Sequence, residues 1–362
     1  MIQSTIIVGL ALLLAIARPL VKQDVPDNRD TTPHGIRFVT VQESVKLEVL
    51  DWGGSGRPVI LVHGGNSTAH EFDKFAPKLT GSYHVYGITR RGCGASSAPP
   101  PTDANYTADR LGDDVLAIIN DLGIDPPVLV GHSLGGQELS SIGSRHPERV
   151  AGLIYLDAAY QYAYYDRSKG FLDIEVNEVR RRLEQLELGK RPGNPKPLID
   201  ELLQTSLPEL ERTLRQIQER FKDAPVQPLA STKERPPIPP IIAAMNRGSE
   251  RYTDIRAPVL AIYALEAVNG PDGSPGRADV EKRNQMKRDQ AEAFQAGVPS
   301  ARVVRLENAG HDVFQSNESE ALREMNDFIK SLPKTGDTPK TCRNEFGVIT
   351  ALSYAFGTLG QP

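Results

Sequence analysis

The sequence predicts an α/β protein with a doubly wound, mostly parallel sheet of about eight strands and a helical segment inserted after the sixth. Short apolar runs such as residues 58–62, typical of strands buried on both faces of a parallel sheet, alternate with amphipathic helical patterns. Residues 158–256 lack such runs and carry charged helical segments instead. At 362 residues, the chain can hold one large α/β domain with an insertion.

Composition excludes several classes of function. The hydrophobic content of 39% and charged content of 24% are those of a soluble globular protein. A net charge of −4 gives no reason to expect nucleic acid or an acidic membrane surface as a partner. Cys93, Cys342 and the histidines show no ligand-like spacing, so the sequence predicts neither a metal site nor another cofactor.

Residues 1–22 are predicted to be an export signal or an N-terminal anchor. Residues 6–17 are apolar, Ala15-Ile16-Ala17 fits a small-x-small cleavage site, and no Lys or Arg precedes the apolar core. This run is shorter than the roughly 20 residues that span a bilayer, so no stable span is expected after its removal. We therefore expect an exported protein, periplasmic or secreted, with an uncleaved membrane anchor as the alternative.

The remaining chain divides into a sheet core interrupted by one insertion. The core is predicted at residues 34–157 and 257–332, a helical cap at 158–256, and an irregular tail at 333–362. Strand patterns occur at residues 36–41, 45–52, 58–62, 83–88, 128–130, 150–156, 258–263 and 301–306. Helical patterns occur at residues 106–122, 171–188, 196–222, 278–295 and 318–332, with one more following the strand at 128–130.

The most informative stretch is Gly131-His132-Ser133-Leu134-Gly135-Gly136, which follows the strand at 128–130. It predicts a strand, a very tight turn and a helix start, with Ser133 at the apex of the turn. Gly131 and Gly135 leave room for the strained backbone between them. The N–H of Leu134 would point into the space in front of the serine hydroxyl, at the positive end of the helix.

A second glycine motif, His63-Gly64-Gly65, follows the strand at 58–62. Because ligand sites of parallel sheets lie at the carboxyl ends of the strands, this motif and Ser133 are expected to converge. The N–H of Gly65 is then a candidate second donor to an oxyanion, beside that of Leu134. His63 is predicted to brace this loop by hydrogen bonding.

A serine nucleophile needs a base and a carboxylate that orients the base. His311, in Gly310-His311 after the last strand, is positioned to be that base, and Asp157 ends the strand at 150–156 on the same edge. The chain order serine, acid, histidine distinguishes this arrangement from other triads.

Together these motifs resemble the α/β hydrolase family, in its broad capped group of carboxylesterases, lipases, haloperoxidase-like hydrolases and proline iminopeptidases. The resemblance covers roughly residues 36–332 and includes Arg91-Gly92-Cys93-Gly94-Ala95-Ser96. It implies a serine hydrolase that cleaves a carboxylic ester, or a related acyl bond, of a small molecule through an acyl-enzyme. The serine argues against members with an aspartate nucleophile, the epoxide hydrolases and haloalkane dehalogenases.

The sequence leaves the acid of the predicted triad open, with two main candidates and a third. After the strand at 258–263 the family commonly places an aspartate about three residues beyond a glycine; here Ala264 replaces the glycine and Ala267 stands where the aspartate would be. Glu266 is one residue away, and its extra methylene could compensate. Asp157 matches an alternative acid position in the family, and Asp272 is a third candidate.

Other functions compatible with these residues are proline iminopeptidase-like, lactonase and C–C hydrolase activities. A non-catalytic ligand-binding protein on a hydrolase scaffold is the alternative from a different class, motivated by the irregular acid site. The sequence carries no signal for an oligomeric state.

Overall fold

A computed structural model describes residues 34–124, 126–187, 193–223, 238–270 and 275–333. The predicted export segment, Asp272, Cys342 and the predicted tail beyond Pro333 lie outside the described residues. Within those ranges, no helix combines the length and apolar character that crossing a bilayer would require.

The strands form one eight-stranded sheet in the order β1-β2-β4-β3-β5-β6-β7-β8. β1 pairs with β2, and β2 with β4, in antiparallel fashion, whereas all other neighbours are parallel. The predicted fold class is therefore confirmed. The strands are β1 (Gly35–Gln42), β2 (Val45–Gly53), β3 (Arg57–Val62), β4 (Tyr83–Ile88), β5 (Val128–His132), β6 (Gly152–Leu156), β7 (Val259–Leu265) and β8 (Ala301–Glu307).

Helices flank the sheet and also occur among the described residues between β6 and β7. The α-helices of the described residues are α1 (Asp103–Tyr106), α2 (Ala108–Leu122), α3 (Gly136–Arg145), α4 (Leu172–Glu187), α5 (Lys196–Glu201), α6 (Leu207–Arg220), α7 (Pro240–Arg247), α8 (Pro275–Gly297), α9 (Val313–Ser316) and α10 (Glu318–Ser331). Short 3₁₀ helices occur at Ala69–Phe72, Ala76–Lys78, Ser133–Gly135 and Pro147–Arg149.

The apolar runs form strands because both faces of the sheet are covered. Every residue of β5 is buried. Leu129 packs in the core that includes Leu139 of α3, whereas its neighbours Val128 and Val130 pack in the core that includes Phe328 of α10. Successive side chains of a strand point to opposite faces, so a strand covered on both faces has to be apolar throughout.

The described residues between β6 and β7 contain the helices α4 to α7. The helical pattern at residues 196–222 is divided, because α5 and α6 are joined by a π-helical turn, Leu202–Ser206. Pro208 lies in the first turn of α6 and has no N–H to donate to the carbonyl of Gln204. The missing hydrogen bond accounts for the change from α to π geometry in the preceding turn.

Candidate active site

Ser133 lies at the apex of the turn between β5 and α3, with a backbone φ of +49°. Such a left-handed conformation is costly for a residue with a side chain and is maintained only by the surrounding structure. A Cβ on Gly135 would lie 2.7 Å from the carbonyl oxygen of Val62, and one on Gly131 would lie 2.8 Å from the carbonyl oxygen of Gly135. Both positions therefore require glycine, as the motif predicted.

Three side chains from different strand ends form a continuous hydrogen-bonded chain. The Oγ of Ser133 lies 2.9 Å from Nε2 of His311, and Nδ1 of His311 lies 2.7 Å from Oδ2 of Asp157. A carboxylate only accepts hydrogen bonds, so Nδ1 carries the proton and Nε2 of the neutral ring accepts one from the serine hydroxyl. This is the arrangement in which an imidazole can remove the serine proton.

Asp157 is fully buried and receives four donors on its two oxygens. Oδ2 accepts from His311 and lies 3.3 Å from Nζ of Lys287; Oδ1 accepts from the Tyr160 hydroxyl at 2.5 Å and the Ala264 N–H at 2.9 Å. Burial raises the pKa of this carboxyl, but the His311 hydrogen bond, the Lys287 charge and the other donors outweigh it. The net pKa lies below its ordinary value, so Asp157 is a stable anion at neutral pH.

The hydrogen bond that His311 donates to Asp157 raises the pKa of His311 above its ordinary value of 6.5, although burial opposes the rise. Lys287 also opposes it, because its positive charge disfavours the imidazolium. The imidazole is half exposed, with 51% of the side-chain surface accessible. His311 therefore combines an oriented ring with access to a ligand in front of Ser133.

Of the two carboxylates that the sequence left open, the structure brings Asp157 to His311 and holds Glu266 elsewhere. Glu266 accepts two hydrogen bonds from Arg283 of α8, at 2.9 and 2.7 Å, and its N–H donates to Asn284. The Arg283 hydrogen bond lowers the pKa of Glu266. The turn after β7 thus directs this side chain to α8, whereas Asp157 follows β6, the neighbour of β5, which leads into the turn with Ser133.

The side chain of Leu134 lies close to Gly65, the other residue predicted to supply an oxyanion donor. A Cβ on Gly65 would lie 2.6 Å from Cδ1 of Leu134, so a larger residue at position 65 would displace the leucine. Leu134 belongs to the 3₁₀ turn Ser133–Gly135, which continues into α3. The first N–H groups of a helix lack intrahelical partners and carry the positive end of its dipole.

Buried polar contacts hold the loop that contains Gly65. The ring of His63 donates from Nδ1 to the carbonyl of Gly64, at 2.6 Å, and accepts at Nε2 from the N–H of Arg90, at 3.0 Å. The guanidinium of Arg90 donates to the carbonyls of His63 and Gly64 and pairs with Glu138. Burial, and secondly the charge of Arg90, lower the pKa of His63 to about 3, so this ring is a neutral brace.

Three side chains next to this centre were not among the predicted site residues. Tyr160 and Lys287 both contact Asp157. Burial raises the pKa of the Tyr162 hydroxyl, and its interaction with Ser133 opposes that rise. Residues 160–165 contain four tyrosines, and this pattern marked the stretch that begins three residues after Asp157. Lys287 gave no such signal, because it comes from a distant helix with an ordinary charged pattern.

Within the described ranges, the one group of three side chains that could hold a metal ion is His34, His70 and Asp73. It does not include Ser133, His311 or Asp157. The sequence analysis predicted no such group, because His34 is far from the other two residues along the chain.

The comparisons agree with this architecture. A model of the alpha/beta hydrolase family matches residues 59–325, so the chain belongs to the α/β hydrolase family. It is 33% identical over 122 residues to a fluoroacetate dehalogenase from a Burkholderia species, and 29% identical over 171 residues to epoxide hydrolase A from Mycobacterium tuberculosis. These matches cover 33% and 41% of this chain but only 40% and 53% of the two relatives.

Among solved structures, a thermophilic esterase from Thermogutta terrifontis, determined with malate bound, is similar to this chain with a TM-score of 0.50. The two are 21% identical, and the match covers 82% of this chain and 98% of the esterase. At that identity the likeness concerns the fold alone.

Proposed function

We propose that this α/β hydrolase is a serine hydrolase that cleaves a carboxylic ester, or a related acyl bond, of a small molecule. Ser133 is the nucleophile, His311 the general base and Asp157 the acid that orients the base. The observation that carries this proposal is the continuous chain from Ser133 Oγ to His311 Nε2, 2.9 Å, and from His311 Nδ1 to Asp157 Oδ2, 2.7 Å.

In the proposed reaction, the oxygen of Ser133 attacks the acyl carbon while His311 removes its proton. The ionised, buried Asp157 stabilises the imidazolium that forms. The N–H groups of Gly65 and Leu134 donate to the oxyanion of the tetrahedral intermediate. His311 then gives its proton to the leaving alcohol, and a water molecule activated by the same ring hydrolyses the acyl-enzyme.

Ser133, at the apex of the turn, argues for acyl transfer rather than for dehalogenation or epoxide hydrolysis, the reactions for which the two relatives are named. In the family that the sequence resembles, epoxide hydrolases and haloalkane dehalogenases use an aspartate nucleophile, whereas this chain has Ser133 at the apex of the turn. A hydroxyl activated by a histidine suits attack on a carbonyl, and the N–H groups proposed as oxyanion donors would stabilise the negative charge that this attack develops on oxygen.

The test is hydrolysis of p-nitrophenyl esters of short and medium acyl chains by the full-length protein and by Ser133→Ala. We expect turnover by the wild type and its loss in the variant, with Ser168→Ala, which alters an exposed serine, as the matched control. Hydrolysis of N-terminal prolyl anilides without ester hydrolysis would instead assign a peptidase. Equal turnover by the wild type and Ser133→Ala would contradict the proposed nucleophile.

The acid is tested by Asp157→Asn against Glu266→Gln. An asparagine leaves the histidine with the wrong tautomer and no anion beside it, so we expect kcat to fall by about 10⁴-fold. Glu266→Gln removes only the pair with Arg283 and is expected to keep kcat within a few-fold of the wild type. The opposite pattern would reassign the acid to Glu266.

A further inference from the structure

We propose that His34, His70 and Asp73 form a binding site for a divalent transition-metal ion, of which Zn²⁺ best fits this ligand set. One ligand atom from each of these side chains lies within 4.8 Å of the other two. Two imidazoles and one carboxylate are the ligands that zinc accepts in open three-residue sites. This site is separate from the proposed hydrolysis and does not depend on it.

The distance between the two most buried ligands matches metal geometry. Nδ1 of His34 lies 3.4 Å from Oδ1 of Asp73, and the side chains are only 7% and 2% exposed. Neither atom has a hydrogen-bond partner among the described residues. Two ligands bound tetrahedrally to one Zn²⁺ lie about 3.3 Å apart. An ion between these atoms would give both of them a partner. Without one, each buried polar atom would cost free energy.

His70 supplies the third ligand and leaves room for a fourth. Its Nδ1 is 2.8 Å from Oδ2 of Asp73, and its ring centroid is 5.3 Å from that of His34. Its Nε2 lies 3.9 Å from Oε1 of Glu48, which is beyond hydrogen-bond distance but places a carboxylate on the side of the ring from which metal-bound histidines are commonly oriented. The His70 side chain is 36% exposed, so water can reach the remaining coordination position.

The site joins two parts of the chain that the fold brings together. His70 and Asp73 are three residues apart on the 3₁₀ turn Ala69–Phe72 and its C-cap, where side chains at this spacing eclipse. His34 immediately precedes β1. The same turn carries Glu71, which accepts from the N–H of Gly64 at 3.0 Å, so a bound ion would fix the turn that supports the loop in front of Ser133.

The fluorescence of the only tryptophan of the chain can report metal binding at this site. The Trp52 ring lies 5.8 Å from that of His34, and the residue as a whole is 8% exposed. Co²⁺, a paramagnetic substitute for Zn²⁺, should therefore quench Trp52 fluorescence in a saturable way with one ion per chain, and added Zn²⁺ should reverse the quenching. Zn²⁺ should also raise the Tm of the protein.

The experiment uses the full chain without any polyhistidine tag. We expect Asp73→Asn and His34→Gln each to weaken Co²⁺ binding at least about tenfold. His146→Gln, which changes the histidine at the C-cap of α3, should leave the affinity for Co²⁺ unchanged. Absence of saturable quenching at millimolar Co²⁺, or equal affinity in the wild type and His34→Gln, would show that these side chains form an ion pair only. If Asp73→Asn does not fold, His34→Gln decides the question.

Discussion

At the scale of single residues, the geometry around Asp157 accounts for most of the proposed chemistry. Its two oxygens receive donors from His311, Lys287, Tyr160 and Ala264, which keep a buried carboxyl ionised. Ser133 and His311 could be predicted from local motifs. The acid could not, because the choice depends on where the turn after β7 directs its side chains and on a lysine from α8.

Lys287 is predicted to lower the pH at which the proposed base becomes active. Its charge lowers the pKa of His311, whereas the Asp157 hydrogen bond raises it. His311 must be neutral to accept a proton, so kcat/KM should rise with pH through a pKa above 6.5. In Lys287→Met the opposing charge is gone, and the rise should move to higher pH.

The measurement is the pH profile of kcat/KM for an activated ester. Arg283→Gln is the control, because Arg283 lies one helical turn from Lys287 on α8 and pairs with Glu266 instead. It should keep the wild-type profile. A shift of the Lys287→Met profile to lower pH would contradict the electrostatic role given to this lysine.

At the scale of elements, the strand–turn–helix unit of β5 and α3 could be predicted almost completely. Its apolar run requires burial on both faces, and its glycines mark backbone that passes close to other backbone. Local sequence was less informative in the insertion. The helical pattern at residues 196–222 predicted no break, whereas the structure has a π turn before Pro208.

Gly135→Ala is predicted to disturb this unit. The added Cβ would lie 2.7 Å from the carbonyl oxygen of Val62 and 3.3 Å from that of His63, and backbone atoms of a buried strand cannot easily move aside. We expect the free energy of unfolding to fall by about 1–3 kcal/mol, together with a lower kcat.

Urea unfolding of Gly135→Ala beside Gly81→Ala measures this effect. A Cβ at Gly81 meets no atom within 4 Å, so that variant should stay within about 0.5 kcal/mol of the wild type. Equal stability of the two variants would show that the turn tolerates a side chain at position 135.

At the scale of the whole molecule, the parallel sheet explains why distant residues converge. The turns after β3, β5, β6 and β8 meet at the carboxyl edge, which the alternation of strands and helices was sufficient to predict. Contacts between side chains of remote segments were not predictable in this way. The approach of His34 to Asp73 depends on how β1 and the turn after β3 pack together.

Stability of the molecule is predicted to decrease in mild acid because of His63. The folded protein keeps this ring neutral down to about pH 3, whereas the unfolded chain binds a proton near pH 6.5. The stability that the neutral His63 ring contributes to the folded state is thus fully present above pH 6.5, and it is lost as the pH falls towards 3. Between about pH 5.5 and pH 4.5, this group should lower the free energy of unfolding by about 1.4 kcal/mol per pH unit.

Urea unfolding of the wild type and His63→Gln across that pH interval separates this group from all others. The variant lacks the titrating ring, so its free energy of unfolding should depend less steeply on pH, whatever its absolute stability. Parallel pH dependences in the two proteins would mean that His63 is protonated in the folded state.

The most direct measurement of the central proposal is covalent labelling of the full-length protein with a fluorophosphonate, followed by peptide mass spectrometry. The account predicts one adduct per chain, on Ser133, which disappears in Ser133→Ala and forms much more slowly in Asp157→Asn. A serine esterase of known activity, treated alongside, verifies the reagent. Failure to label Ser133 while that esterase is labelled would contradict an activated serine and favour a ligand-binding protein on a hydrolase scaffold.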